Sequence, residues 1–178
     1  MLSVNKITFK SFFFISLVIL LFKPTWLISN DSLGTGGDDL SYWIHASTLA
    51  YDYDLNYTDD HSLVHQNYHE KTNAPYHSPG SGYANSIFVK IFSLLDNKSE
   101  IDEIRINPIG SYSLLGFLFG TIFYCFLGFY FFDKLIEKKG LKVYKKNIYL
   151  IIYFSTLVHF VTNRFLMAHS FEFFLVVF

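Results

Sequence analysis

The chain has 178 residues, of which 51% are hydrophobic and 20% aromatic, and its formal net charge at pH 7 is −1. This balance excludes the strongly basic surface that binds nucleic acid, so we expect no nucleic-acid partner. The single cysteine, Cys125, excludes an intrachain disulfide. The charge-free stretch from Ser111 to Phe132 is long enough to cross a bilayer. We therefore predict an all-α membrane protein with three transmembrane helices, a partial fourth and a large external loop carrying juxtamembrane amphipathic helices.

Residues 1–29 are predicted to form the first transmembrane helix. Lys6 and Lys10 precede an apolar run over 11–22, and Pro24 follows as a residue that kinks or ends a helix. A basic start and a short apolar core also fit a signal peptide. Against that alternative, the segment ending at Ser29 lacks the small residue expected three positions before a cleavage point.

Residues 30–110 form the predicted external loop, with twelve acidic side chains against four basic ones. The segment is too long for a plain connector and is expected to contain helices lying at the membrane surface. One begins at Asp38 and has a face that rests on lipid or on neighbouring helices, formed by Leu40, Trp43, Ile44, Ser47 and Tyr51. The other covers Tyr83–Leu95, with an apolar stripe of Ile87, Phe88, Ile91, Phe92 and Leu95.

Residues 111–178 are predicted to be a truncated membrane domain. It contains the second span, Ser111–Phe132, a shorter third span, Ile148–Val161, and the start of a fourth near Phe165. The connector Asp133–Lys146 holds six lysines and two acids, which by the positive-inside rule places it in the cytoplasm. Residues 30–110 then lie on the periplasmic or external side. Because the sequence stops within an apolar run, we expect an N-terminal part of a longer protein that is inactive by itself.

Three short motifs occur in order along the chain. Gly37-Asp38-Asp39 opens the first loop helix, His77-Ser78-Pro79-Gly80 precedes the second, and Met167-Ala-His-Ser-Phe-Glu-Phe-Phe174 opens the fourth span. Together they resemble the polyprenyl-phosphate-dependent glycosyltransferases of the GT-C superfamily, especially bacterial relatives of protein O-mannosyltransferases and aminoarabinose transferases. The resemblance implies a bacterial inner-membrane enzyme that transfers sugar from a polyprenyl-phosphate donor to an envelope lipid, polysaccharide or protein. The chain departs from that family in having far fewer helices.

The acidic pair Asp38 and Asp39 is the predicted catalytic site. Glycosyl transfer needs a base for the acceptor's proton and positive charge for the departing phosphate. Asp38 is the expected base, with Asp39 beside it, and repulsion between adjacent carboxylates can raise a pKa to suit a base. The alternative is that one of the two caps the helix, since Asp is favoured at that position.

Substrate binding is assigned to the four ionisable side chains of the other motifs and of the segment between the last two spans, His77, Arg164, His169 and Glu172. His77 stands at a turn whose backbone amides can meet phosphate oxygens. Arg164 binds the lipid phosphate or anchors its helix at head groups. His169 and Glu172 share a helical face and either line the site or bond to a neighbouring helix.

A divalent metal ion remains open as a cofactor. His61, His65 and His69 are spaced four apart, as metal ligands on one helical face would be, although their surroundings favour a solvated loop. Membrane lipid is an expected partner in either case. The alternative function is a non-catalytic small integral membrane protein whose acidic loop contacts another subunit in an assembly.

Overall fold

The computed structural model describes residues 9–22, 24, 27, 38–58, 68–69, 74–141 and 145–178. These residues are mostly helical, at 74%, with almost no strands, which confirms the all-α prediction. The helices are α1 (Phe9–Phe22), α2 (Asp38–Tyr51), α3 (Gly80–Ser93), α4 (Ile101–Ile106), α5 (Tyr112–Lys138), α6 (Lys145–Ile152), α7 (Val158–Thr162) and α8 (His169–Val177), with a 3-10 turn at Lys98–Glu100 and a π-helical segment at Tyr153–Leu157. Two short antiparallel strands, β1 (Tyr68–His69) and β2 (Ala74–Pro75), complete the described elements.

Helix α5 is the central element, and α1, α3, α7 and α8 all pack against it. Its start is doubly capped. The Ser111 hydroxyl accepts from the amide of Leu114, and the Asp96 carboxylate accepts from the amides of Tyr112 and Ser113. The predicted second span is therefore a helix, extended by charged residues as far as Lys138.

Among the described helices, α5 alone has the length and apolar composition needed to cross a membrane. Helix α1 has 14 residues, about 21 Å, which is less than the hydrocarbon thickness of about 30 Å. The predicted third span is a helical run whose middle is the π-helical segment, and α8 covers nine residues. The arrangement with three full spans thus stays a prediction.

The predicted helices of the 30–110 segment are present as α2 and α3, and α4 is an additional one. Helix α2 rests on neighbouring helices, with Trp43, Ile44 and Ala46 fully buried. Helix α3 starts three residues before its predicted position, and most of its buried face is small and polar, with Ser81, Gly82, Asn85, Ser86 and Val89. Much of the predicted apolar stripe points outwards, since Ile87, Ile91 and Leu95 are each more than half exposed.

Glycines explain how α3 fits between α2 and α5. A Cβ at Gly82 would lie 2.6 Å from both the Cβ of His45 and the carbonyl oxygen of Tyr42 on α2. A Cβ at Gly116 of α5 would lie 2.5 Å from the carbonyl oxygen of Phe88 on α3. Small residues permit this close backbone approach, as they do between helices in membranes. The start of α3 is thereby held against α2.

Candidate functional site

The first ion pair of the candidate site joins Asp38 to His77. The Nε2 atom of His77 lies 2.8 Å from Oδ1 of Asp38, and both side chains are partly exposed. Asp38 stands in the first turn of α2, and His77 lies in the bend that leads through Pro79 into α3. The pair therefore depends on the packing of α3 against α2, which brings together residues 39 positions apart in the sequence.

The second ion pair joins Asp39 to Arg164. Oδ2 of Asp39 accepts from Nε of Arg164 at 3.0 Å and from its Nη2 at 2.9 Å, while Oδ1 is buried without a hydrogen-bond partner among the described residues. Burial raises the pKa of the Asp39 carboxyl, the Arg164 guanidinium opposes that shift, and the neighbouring Asp38 adds to it. Asp39 is thus a buried carboxylate held by a cation that itself remains 38% exposed.

The position of Arg164 is set by the segment between α7 and α8. Its amide donates to the carbonyl oxygen of His159 in the first turn of α7. The next carbonyl, that of Phe165, accepts from the hydroxyl of Thr121 on α5 at 2.7 Å. Phe165 and Leu166 are buried in the core. This segment is fastened to the central helix, so Arg164 reaches Asp39 from a well-anchored position.

Tyr42 lies beside the first ion pair, and sequence reasoning did not assign it to the site. Its ring centroid is 6.0 Å from that of His77. Burial raises the pKa of the Tyr42 hydroxyl, and the negative charges of Glu172, Asp38 and Asp39 add to the shift. The four-residue spacing from Asp38 was the available signal, because residues at i and i+4 share a helical face.

His169 and Glu172 form an ion pair within the first turn of α8. Nδ1 of His169 lies 3.0 Å from Oε2 of Glu172, and the His169 ring contacts the Phe160 ring of α7 at a tilt of 58°, with 4.0 Å between centroids. Both side chains line a cavity of about 560 Å³ whose other walls are apolar. The negative charge of Glu172 contributes to the raised pKa of the Tyr42 hydroxyl on α2.

The described residues contain no group of three His, Cys, Asp or Glu side chains arranged to hold a metal ion. Of the histidines considered as metal ligands, His61 and His65 lie outside the described residues, and so does the side chain of His69. The glycines of Gly34–Gly37 lie outside them as well.

A separate cavity of about 440 Å³ lies beside α4, and none of the predicted site residues lines it. Its acidic walls include Asp96, whose carboxylate is already engaged in capping α5. Asp52, an acidic residue just after α2, likewise takes part in a contact outside the candidate site. It forms a two-pronged ion pair with Arg105, with Nη2 of Arg105 at 2.6 Å from Oδ2 of Asp52.

The predicted site residues thus fall into three contacts, Asp38 with His77, Asp39 with Arg164, and His169 with Glu172. The first two are adjacent, because Asp38 and Asp39 are consecutive in α2. The first contact supplies a partly exposed carboxylate beside an imidazole, and the second supplies a partly exposed guanidinium. No protein-family model, curated protein or solved structure matches this chain.

Proposed function

We propose that this chain belongs to a membrane glycosyltransferase that moves sugar from a polyprenyl-phosphate donor to an envelope lipid, polysaccharide or protein. The observation that supports the proposal is the adjacency of two ion pairs built from three distant parts of the chain. Asp38, the proposed proton acceptor, and Asp39, the buried carboxylate that binds the cation Arg164, are consecutive residues of α2. A proton acceptor and a cation for the departing phosphate are the two groups that glycosyl transfer from a lipid phosphate requires.

The proposed location is the bacterial inner membrane, with residues 30–110 on the periplasmic side. Support comes from the lysine-rich connector at the other end of α5 and from the length of that helix, about 40 Å at 27 residues. The segment that carries Arg164 meets α5 at Thr121, near the middle of the charge-free run, so the phosphate of the lipid donor is proposed to reach the candidate site at that depth. The apolar side chains exposed along α3, among them Ile87 and Ile91, suit contact with lipid.

In the proposed reaction, the acceptor's hydroxyl or amine attacks the anomeric carbon of the donor sugar. A new bond forms from the acceptor to that carbon, and the bond from the carbon to the phosphate oxygen breaks with its electron pair. The proton of the acceptor passes to Oδ2 of Asp38, while His77 holds Oδ1. Arg164 stabilises the charge that develops on the polyprenyl phosphate. His169 and Glu172 lie at the apolar cavity and are proposed to contact the substrate there.

The test is Asp38→Asn in the complete reading frame that contains this chain. Isolated membranes receive a panel of polyprenyl-phosphate sugars with labelled sugar, and the label is counted in lipid, polysaccharide and protein fractions. Loss of the general base is expected to lower transfer by about 10²–10⁴-fold at unchanged expression, because the amide cannot take up the proton. Asp102→Asn is the matched control, since Asp102 is an exposed acid of the same segment.

Comparison with Asp38→Ala separates catalysis from capping. Asp38 is the first helical residue of α2, and Asn keeps a side chain that can hydrogen-bond at the helix start, whereas Ala loses it at a cost of at most about 1 kcal/mol. If Asp38→Asn transfers sugar normally while Asp38→Ala fails to accumulate, Asp38 is a structural residue. Absence of transfer from every donor in the wild-type protein would favour the alternative, a non-catalytic membrane protein that serves as an assembly partner.

A further inference from the structure

A buried histidine that sequence reasoning did not single out connects α2 to the turn carrying His77. His45 is 2% exposed and lies two turns along α2 from Asp38. Its Nε2 atom lies 2.8 Å from the carbonyl oxygen of His77, and its Nδ1 atom lies 2.6 Å from the hydroxyl of Tyr57. That hydroxyl in turn lies 2.6 Å from the hydroxyl of Tyr83 on α3.

The direction of each hydrogen bond follows from the chemistry of the partners. A carbonyl oxygen only accepts, so Nε2 of His45 carries the hydrogen and donates to His77. In the neutral ring Nδ1 is then an acceptor, the Tyr57 hydroxyl donates to it, and the Tyr83 hydroxyl donates to Tyr57. Burial lowers the pKa of His45, which keeps the ring neutral. A single tautomer therefore satisfies the whole network.

The same contact determines where the His77 side chain can be. His77 makes two contacts with α2. Its main-chain carbonyl accepts a hydrogen bond from the His45 ring, and its own ring contacts the carboxylate of Asp38. Both bonds are made to one helix, so the backbone bond limits how far the ring can move from the carboxylate. Gly82 permits this geometry, because a side chain there would collide with the Cβ of His45.

We propose that His45 is a positioning residue, which holds the His77 turn on α2 so that the His77 ring meets the carboxylate of Asp38. Its functional consequence rests on the glycosyltransferase proposal above, whereas the geometry does not. His45 itself does not contact substrate, since it is buried behind the turn. Tyr57 and Tyr83 assist by completing the hydrogen bonds of the ring.

The test compares His45→Gln with His45→Asn. The amide nitrogen of Gln occupies nearly the place of Nε2 and can donate to the His77 carbonyl, whereas Asn is one carbon shorter and cannot reach it. The two variants are otherwise alike in chemistry. A difference between them therefore reports the hydrogen bond rather than the loss of a ring.

The readout is long-range ¹H–¹⁵N spectroscopy of histidine-labelled protein in detergent micelles, with His77→Gln to assign the signal. We expect the hydrogen-bonded Nε2–H of His77 in the wild type and in His45→Gln, and its loss in His45→Asn and in Asp38→Ala. Retention of this signal in folded His45→Asn, or its loss in both His45 variants, would overturn the proposal. If neither variant folds, Tyr57→Phe is used instead, because it removes the hydroxyl that bonds to Nδ1 of His45. The loosened His45 ring should then let the His77 Nε2 proton exchange faster with water. An unchanged exchange rate would contradict the proposal.

Transfer activity provides a second readout that separates the two proposals. A displacement of about 1 Å at a reacting group can lower the rate about 10²-fold, so His45→Asn should transfer about that much less sugar than His45→Gln. If no polyprenyl-phosphate sugar is a donor, the function proposed above fails. The spectroscopic comparison still tests whether His45 positions His77.

Discussion

The two arginines of this chain form ion pairs with aspartates at opposite ends of α2, and the two pairs are built differently. Arg105 grips Asp52 through both carboxylate oxygens, and its side chain is only 10% exposed. Arg164 bonds to a single oxygen of Asp39 and is 38% exposed. The two pairs also differ in which partner is the more exposed. Asp52 is more exposed than Arg105, whereas Asp39 is almost fully buried and Arg164 is the more exposed partner. One pair is closed, and the other leaves a guanidinium facing outwards.

This difference indicates which pair is structural. The backbone carbonyl of Arg105 also accepts from the indole of Trp43, a fully buried residue of α2, so this pair fastens α4 to the core. A guanidinium that is only 10% exposed is poorly accessible to a ligand. Arg164 keeps part of its surface available, and bidentate binding of phosphate is a common use of arginine. The acidic pair at Asp38 and Asp39 therefore remains the better candidate for a site.

The largest expected difference comes from replacing each aspartate by asparagine. Asp52→Asn removes the negative charge that Arg105 contacts through two nitrogens and is expected to cost up to about 3 kcal/mol in the free energy of unfolding. Asp39→Asn should change it by less than about 1 kcal/mol, because Arg164 can turn towards water and a costly buried charge is removed. Denaturant titration in detergent micelles measures both. Equal losses would show that the two pairs have the same structural role.

A smaller effect is expected in the pH dependence of stability. The pKa of Asp39 is raised in the folded protein above its ordinary value of 3.8, so the folded state holds this proton more tightly than the unfolded state. The contribution of Asp39 to stability is therefore greatest at low pH, and it declines as pH rises from 3.8 through the raised pKa. Asp39→Asn should remove this decline, which unfolding at several pH values would detect. A wild type and variant with parallel pH profiles would contradict it.

The smallest effect concerns the chemical reactivity of the two arginines. Phenylglyoxal should modify Arg164 several-fold faster than Arg105, because the exposed guanidinium is accessible to the reagent. Farnesyl phosphate, a short polyprenyl phosphate, should slow modification of Arg164, whereas farnesol, which lacks the phosphate, should not. Peptide mass spectrometry reads both sites at once. Equal protection by farnesol would show that the apolar chain, rather than the phosphate, occupies this region.

Sequence reasoning succeeded where the signal is local. The charge-free run over Ser111–Phe132 identified α5, and the periodic apolar residues located α2 and α3 to within a few positions. It missed α4, because the six residues of Ile101–Ile106 make fewer than two helical turns, which is too short for a repeating pattern of apolar residues. For α3 it located the helix but left open which side chains pack against the protein, since the structure buries Ser81, Gly82 and Ser86 while Ile87 and Ile91 stay exposed.

The sequence by itself determined that the chain is helical, where its longest helix lies, and which charged residues are unusual enough to examine. Only the tertiary structure decided how those charges pair. Asp39 and Arg164 are 125 residues apart, and Asp38 meets His77 because Gly82 lets α3 approach α2 closely. His45 illustrates the limit best. A single histidine in a helix carries no pattern, and its partner is a backbone carbonyl, which every residue possesses, so only the fold distinguishes this carbonyl from the others.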